Sequence, residues 1–146
     1  MIRVSVQPAP IDIAVELAVV EAGGAGGIAS FTGLVRADDS VTELELEHYP
    51  GMTEAALTAL AEEARERWAL LAVNLVHRIG RMTPGERIVF VGTAAAHRAA
   101  ALESCAFLID KLKTGAPFWK RERRGDGASW VEARGTDDVA AERWNH

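Results

Sequence analysis

Two hydrophobic periods alternate along the chain, one of about two residues and one of three to four, and together they predict a mixed fold. Residues 2–6 alternate as a short strand that Pro8 and Pro10 stop, and residues 11–22 then take up a helical period. Gly23, Gly24, Gly26 and Gly27 end that helix and lead into a strand over 28–35. The cluster looks at first like a phosphate-binding loop. No Gly-Lys-Ser/Thr follows it, however, and the helix that would receive the phosphate is missing, so it reads as a helix stop and turn. Residues 41–49 set Leu44, Leu46 and His48 against Glu43, Glu45 and Glu47, the pattern of a half-exposed strand. The polar turn 37–40 is expected to pair it with the strand before.

After Pro50 and Gly51, Leu57, Leu60, Ala61, Ala64 and Trp68 recur at helical spacing, while Glu62, Glu63, Arg65, Glu66 and Arg67 form a solvated opposite face. Residues 71–79 and 87–95 are apolar, β-branched runs separated by Gly80, Pro84 and Gly85, which predicts a hairpin. A mostly apolar helix over 97–113 ends at Gly115 and Pro117. Short strands over 118–122 and 129–133 flank a turn at 124–127, and the polar tail 136–146 carries Trp144 as an anchor. Strands in hairpin order with helices between them give one α+β domain, 1–146, dominated by antiparallel pairing. No linker, repeat or low-complexity segment interrupts it.

Composition narrows the function classes. A chain of 146 residues buries roughly 68–70% of the surface its unfolded form exposes, and the 49% hydrophobic content supplies a core without staples. Sixteen Lys and Arg against 21 Asp and Glu leave a net charge of -5, which argues against the broad basic surface that non-specific nucleic-acid binding needs. No apolar run reaches the roughly 20 residues of a membrane span, and the N-terminus lacks the pattern of a secretory signal. A cytoplasmic location, with no membrane or nucleic-acid partner, is expected. Cys105 stands alone, so neither an intrachain disulfide nor a cysteine-built zinc site can form. Its surroundings, Leu102 and residues 106–109, read as a buried helix in which the thiol is a small core residue rather than a nucleophile. His48, His77, His97 and His146 show no metal-binding spacing, so neither a metal nor a cofactor is expected.

Candidate chemistry gathers late in the chain. All three lysines, Lys111, Lys113 and Lys120, fall within ten residues of an otherwise arginine-rich sequence. An ammonium can lose its proton where a guanidinium cannot, so such a cluster suits nucleophilic or acid–base work. At helical spacing Lys113 continues the stripe Leu102, Ala106 and Ile109, along a face expected to be packed, whereas Lys111 lies on another side. The alternative is a helix C-terminus attracting cations through its dipole. His97 and Arg98 open the same helix, where a cation opposes the dipole unless an anion such as a phosphate or carboxylate sits there. A solvated arginine behind a capping histidine is the other reading. Arg36, at a strand end before an acidic loop, is similarly open, and Arg121, Arg123 and Arg124 extend Lys120 into a basic patch that would focus an anionic ligand.

The segment Lys113-Thr114-Gly115-Ala116-Pro117-Phe118-Trp119-Lys120-Arg121-Glu122 resembles the signature of the catalytic (large) subunit family of molybdopterin synthase. Further matches follow in order: residues 31–36, Glu47-His48-Tyr49-Pro50-Gly51-Met52, His77-Arg78-Ile79-Gly80, Ala96-His97-Arg98 and Trp130-Val131-Glu132-Ala133-Arg134. The resemblance implies an α/β hammerhead-type fold and a homodimer within a heterotetramer, with a small ubiquitin-like sulfur-carrier subunit at each end. It implies a sulfurtransferase that converts cyclic pyranopterin monophosphate to molybdopterin, using sulfur carried as a thiocarboxylate on the carrier's C-terminal Gly-Gly tail. Carried over residue by residue, Lys113 and Lys120 match the family's catalytic lysines, and Arg36, His97, Arg98 and Arg134 match its substrate-binding residues. Gly115 departs from the pattern, since many relatives carry a larger, often basic residue there. A non-catalytic subunit that merely binds a ubiquitin-like partner is the competing reading; retention of both lysines and the arginine set favours the enzyme.

Overall fold

A computed structural model of the chain describes residues 1–21, 23–37, 40–124 and 127–130, the last as backbone, together with 142 and 144 of the tail. The element order is β1 (Ile2–Gln7), α1 (Ile13–Val20), β2 (Gly27–Leu34), β3 (Val41–His48), α2 (Met52–Trp68), β4 (Ala72–Arg78), β5 (Gly80–Met82), β6 (Arg87–Ala95), α3 (Arg98–Gly115), β7 (Phe118–Arg124) and β8 (Gly127–Trp130). The strands form two four-stranded sheets, ordered β1-β4-β6-β2 and β5-β3-β7-β8. Among the described strands only β1 and β4 pair in parallel and every other pair is antiparallel, so the fold is α+β as its hairpin-rich pattern predicts.

The first sheet is the scaffold. Its central strands β4 and β6 are buried on both faces, which explains their near-continuous runs of apolar and β-branched residues. On one face Val73, Leu75, Val89 and Val91 pack with Leu57, Ala61 and Ala64 of α2 and with Ala101, Cys105, Phe107 and Leu108 of α3. On the other, Val76 and Phe90 pack with Ile11 and against Leu17, while Val20 of α1 joins Ala72 and Ala94. Glu16 of α1 is only 4% exposed. Arg3 donates to both of its oxygens at 3.1 Å, and Asn74 Nδ2 donates to Oε1 at 3.0 Å. Burial opposes the carboxylate's charge, but these donors outweigh it and hold the Glu16 carboxyl below its usual range.

The second sheet is thinner. Leu44 and Leu46 of β3 share a small core with Val35 and Met82, and Ile88 packs against it. Two expectations are corrected here. Strands β2 and β3 do not pair across the 37–40 turn: β2 lies against β6 in the first sheet, and β3 lies between β5 and β7 in the second. The β4–β6 hairpin does form, but the intervening segment supplies β5, which crosses to the second sheet after Gly80. Gly80 has φ +90, a left-handed conformation that favours glycine at that turn.

The glycine cluster is followed by strand β2, not by a helix. A Cβ on Gly26 would stand 2.2 Å from the Ala96 carbonyl oxygen, so this glycine allows β2 to begin hard against the entrance to α3. Trp144 does anchor the tail: its ring meets Trp68 and Phe107 edge-on at 5.9 and 5.7 Å, and its Nε1 donates to Asp110 at 2.6 Å. The end of the strand expected over 129–133 and most of the tail lie outside the described residues.

Candidate active site

The scaffold and the thin sheet meet at the C-terminal end of α3. Lys113 leaves the last turn of that helix, and Lys120 stands on β7, opposite Leu46 of β3. A cleft at this seam is lined by Lys113, Lys120, Arg36, Glu122 and Arg124, over an apolar base that includes Val35, Leu44 and Ile88. Four cationic side chains thus surround one carboxylate, an arrangement that attracts anions.

Strand alternation divides the basic patch expected from Lys120 to Arg124. Lys120, Glu122 and Arg124 share the cleft, whereas Arg121 and Arg123 point to the other face and pair with Glu45 and Glu43, both at 3.6 Å. Glu122 is 8% exposed and lies 3.8 Å from Lys120. The sequence marks it only as part of a motif; that it would be buried between Lys120 and Arg124 depends on pairing that composition does not reveal.

Lys113 has a different environment. It is exposed, and no carboxylate among the described residues lies within ion-pair distance of it. Beside it lies a small, mostly apolar groove lined by Phe31, Val89, Val91, Ile109, Leu112 and His77. Burial, opposed by the bond to the Arg78 carbonyl and reinforced by the nearby Lys113 ammonium, pushes the His77 imidazole down to about 4. His77 is therefore neutral near pH 7, and with Nδ1–H donating to the Arg78 carbonyl at 2.9 Å its Nε2 carries the lone pair. Sequence reading found no role for this histidine.

The stripe Leu102, Ala106, Ile109 and Lys113 is not the packed face it was expected to be. Leu102 is 61% exposed, and the buried side of α3 is instead Ala101, Ser104, Cys105, Phe107 and Leu108. The thiol of Cys105 does lie in the core, where burial pushes it up to about 11, leaving negligible thiolate. Gly115 opens onto space, with nothing within 4 Å of a Cβ built on it among the described residues.

The remaining candidates lie elsewhere. His97 is the N-cap of α3 by position, but its side chain caps nothing, and both it and Arg98 are exposed. From Arg98 to Lys113 the helix rises about 22 Å, and β2 runs alongside it, from Gly27 beside Arg98 to Leu34 at the cleft. Within one chain, Arg36 therefore joins the lysines, while His97 and Arg98 do not. Arg134 lies outside the described residues.

Comparison with known proteins agrees with this architecture. The family model described as MoaE protein matches residues 6–115. The molybdopterin synthase catalytic subunit of Escherichia coli (strain K12) is 49% identical, with 97% of each chain covered. Among solved structures, a molybdopterin biosynthesis MoaE protein from Burkholderia ambifaria superposes with a TM-score of 0.87 at 47% identity, covering 100% of this chain and 99% of that one. Molybdopterin synthase from Staphylococcus aureus superposes at 0.83 with 28% identity, over 87% of this chain and 95% of that one. With a full-length relative at nearly half identity and a family model spanning most of the fold, the chain belongs to the MoaE family, that of the molybdopterin synthase catalytic subunits.

Proposed function

We propose that the chain is the sulfur-transferring subunit of a molybdopterin synthase, acting in the cytoplasm on cyclic pyranopterin monophosphate with sulfur from a thiocarboxylated ubiquitin-like carrier. The observation that carries this reading is the convergence of Lys113, Lys120 and Arg36 on one cleft from three separate elements of sequence. The substrate's phosphate suits the cationic rim, and Arg36 supplies a fixed, planar donor set for it. The groove beside Lys113 is mostly apolar, a lining that suits the uncharged backbone of a Gly-Gly tail.

In this reading the carrier's thiocarboxylate sulfur forms a C–S bond to a side-chain carbon of the pterin as that carbon's C–O bond breaks, the oxygen leaving with the phosphate or, after protonation, as water, and the product is a thioester. Water then adds to the acyl carbon, and collapse of the adduct breaks the acyl C–S bond, releasing the carrier as a carboxylate and leaving sulfur on the pterin. The adduct carries an oxyanion, and Lys113, with no carboxylate to neutralise it among the described residues, is the cation proposed to stabilise it. Lys120, held by Glu122, is suited to orient the pterin or relay a proton. His97, Arg98 and Arg134 remain substrate-binding candidates. Because the first two stand about 22 Å along α3 from Lys113, they can join this cleft only from a second copy of the chain, which accords with a homodimer inside a heterotetramer.

The test is reconstitution of purified chain, thiocarboxylated carrier and cyclic pyranopterin monophosphate. Formation of the pterin dithiolene, with one carrier carboxylate released per sulfur, is expected. A chain that binds the carrier tightly and forms no product would instead be a non-catalytic binding subunit.

A further inference from the structure

Two motifs of the sequence, 47–52 and 77–80, contribute no charged group to the cleft, yet both lead to the segment that joins its lysines. Between Lys113 and Lys120 the chain leaves a helix, turns at Ala116 and Pro117, and enters β7, so the relative position of the two ammonium groups is set by this connector. Thr53, directly after the first motif, is completely buried. Its hydroxyl donates to the Pro117 carbonyl at 2.8 Å and accepts the Tyr49 N–H at 3.0 Å, tying the connector to the entrance of α2. One residue on, the Phe118 ring stacks on His77 with centroids 4.2 Å apart and planes inclined by 28°. His77 belongs to β4 of the scaffold and Phe118 to the thin sheet, so this stack joins the two sheets beside the cleft. The imidazole is fixed in turn by its bond to the Arg78 carbonyl.

Resting on the assignment of sulfur transfer to the lysine pair, we infer that Thr53 and His77 are positioning residues that set the Lys113–Lys120 geometry. Thr53 acts by holding the Pro117 carbonyl and His77 by carrying the Phe118 ring. Neither motif is needed to hold the connector merely in place, because β7 is already paired along β3; what the two contacts add is a fixed approach from the helix end to the strand. Transfer between preorganised groups is sensitive to displacements of an ångström or less.

The experiment compares T53V, which keeps the shape and loses both hydrogen bonds, with T53S, which can keep them, and H77A with H77F, which retains a ring for the stack. Single-turnover sulfur transfer is measured per folded molecule on the complex with thiocarboxylated carrier. T53V and H77A should lower the rate constant at saturating cyclic pyranopterin monophosphate and saturating carrier about tenfold, with KM for the pterin within about twofold of wild type and, for T53V, carrier affinity likewise, while T53S and H77F recover most of the rate. K113A serves as the reference. A fully active K113A would remove the lysine assignment itself. An inactive K113A beside T53V and H77A of wild-type rate would overturn the positioning role alone, as would a T53S as slow as T53V. Should T53V fail to fold, H77A against H77F decides on the same criterion.

Discussion

The two sheets divide the work of the molecule unequally. The scaffold sheet is covered on both faces, by α1 on one side and by α2 and α3 on the other, and its central strands are almost wholly apolar. Among the described residues the thin sheet has a small buried core of Val35, Leu44, Leu46 and Met82, and its outer face is a ladder of ion pairs in which Glu43 and Glu45 meet Arg81, Arg121 and Arg123. Chemistry falls on neither alone. The scaffold delivers Lys113 at the end of a long helix buried along one side, the thin sheet delivers Lys120 and Glu122, and the cleft is the seam between them. The larger core thus lies away from the proposed site, and this separation can be broken or sharpened by substitution.

The largest effect is expected in the scaffold. Phe90 is fully buried against the α1 side of the sheet, away from α3. Phe90→Ala should cost about 3–5 kcal/mol in denaturant unfolding, yet leave the transfer rate per folded molecule unchanged. A rate that fell with stability would mean that the two faces are not insulated. At the seam, His77 couples stability to pH. Its folded value of about 4 lies below the ordinary 6.5, so the neutral form is favoured by folding. The resulting stability is present above about pH 6.5 and is lost as pH falls towards 4, by up to about 3 kcal/mol. Unfolding curves of wild type and His77→Phe, collected from pH 7 to 4, should diverge by that amount; parallel curves would place the imidazole in a solvated setting.

Cys105 gives a smaller effect. Cys105→Ser places a hydroxyl in the core at a cost of about 1–3 kcal/mol if it finds no partner, and turnover per folded molecule should be retained because sulfur arrives on the carrier. A well-folded variant unable to form product would route sulfur through this thiol and refute the mechanism. The smallest change is expected in the thin sheet. Glu45→Ala removes exposed pairs with Arg81 and Arg121 and should cost about 0.2–1 kcal/mol, diminishing further in high salt. A cost as large as that of Phe90→Ala would end the distinction between the sheets.

Much of this organisation is legible in the sequence. The period of two over 41–49 gives β3 its faces correctly, and the apolar runs give β4 and β6, because burial on one face or two writes itself into local composition. Partners are another matter. Alternation assigns a side chain to a face but does not name the neighbouring strand, so the pairing of β3 with β7, some 80 residues away, and the three-residue β5 are not visible locally. The lysine cluster and its motif single out Lys113 and Lys120 as candidates, and the fold brings both to one cleft with Arg36. Glu122, Thr53 and His77 escape because their significance is a contact: a carboxylate buried between two cations, a hydroxyl on a distant carbonyl, a ring under a ring. Leu102 misleads for the complementary reason, since an apolar residue on a helix indicates a preference for burial and one chain leaves it 61% exposed.

The central claim is that Lys113 acts as a compact ammonium set against the oxyanion that forms at the carrier's carbonyl, not simply as a positive charge at a helix end. Lys113→Arg separates the two, because it keeps the charge and the helix-dipole contact but replaces a compact ammonium by a larger guanidinium that does not titrate. In single-turnover reactions with thiocarboxylated carrier and cyclic pyranopterin monophosphate, the folded variant should bind the carrier normally and transfer sulfur at least a hundredfold more slowly, about 3 kcal/mol in transition-state stabilisation. Wild-type transfer by Lys113→Arg would contradict the account.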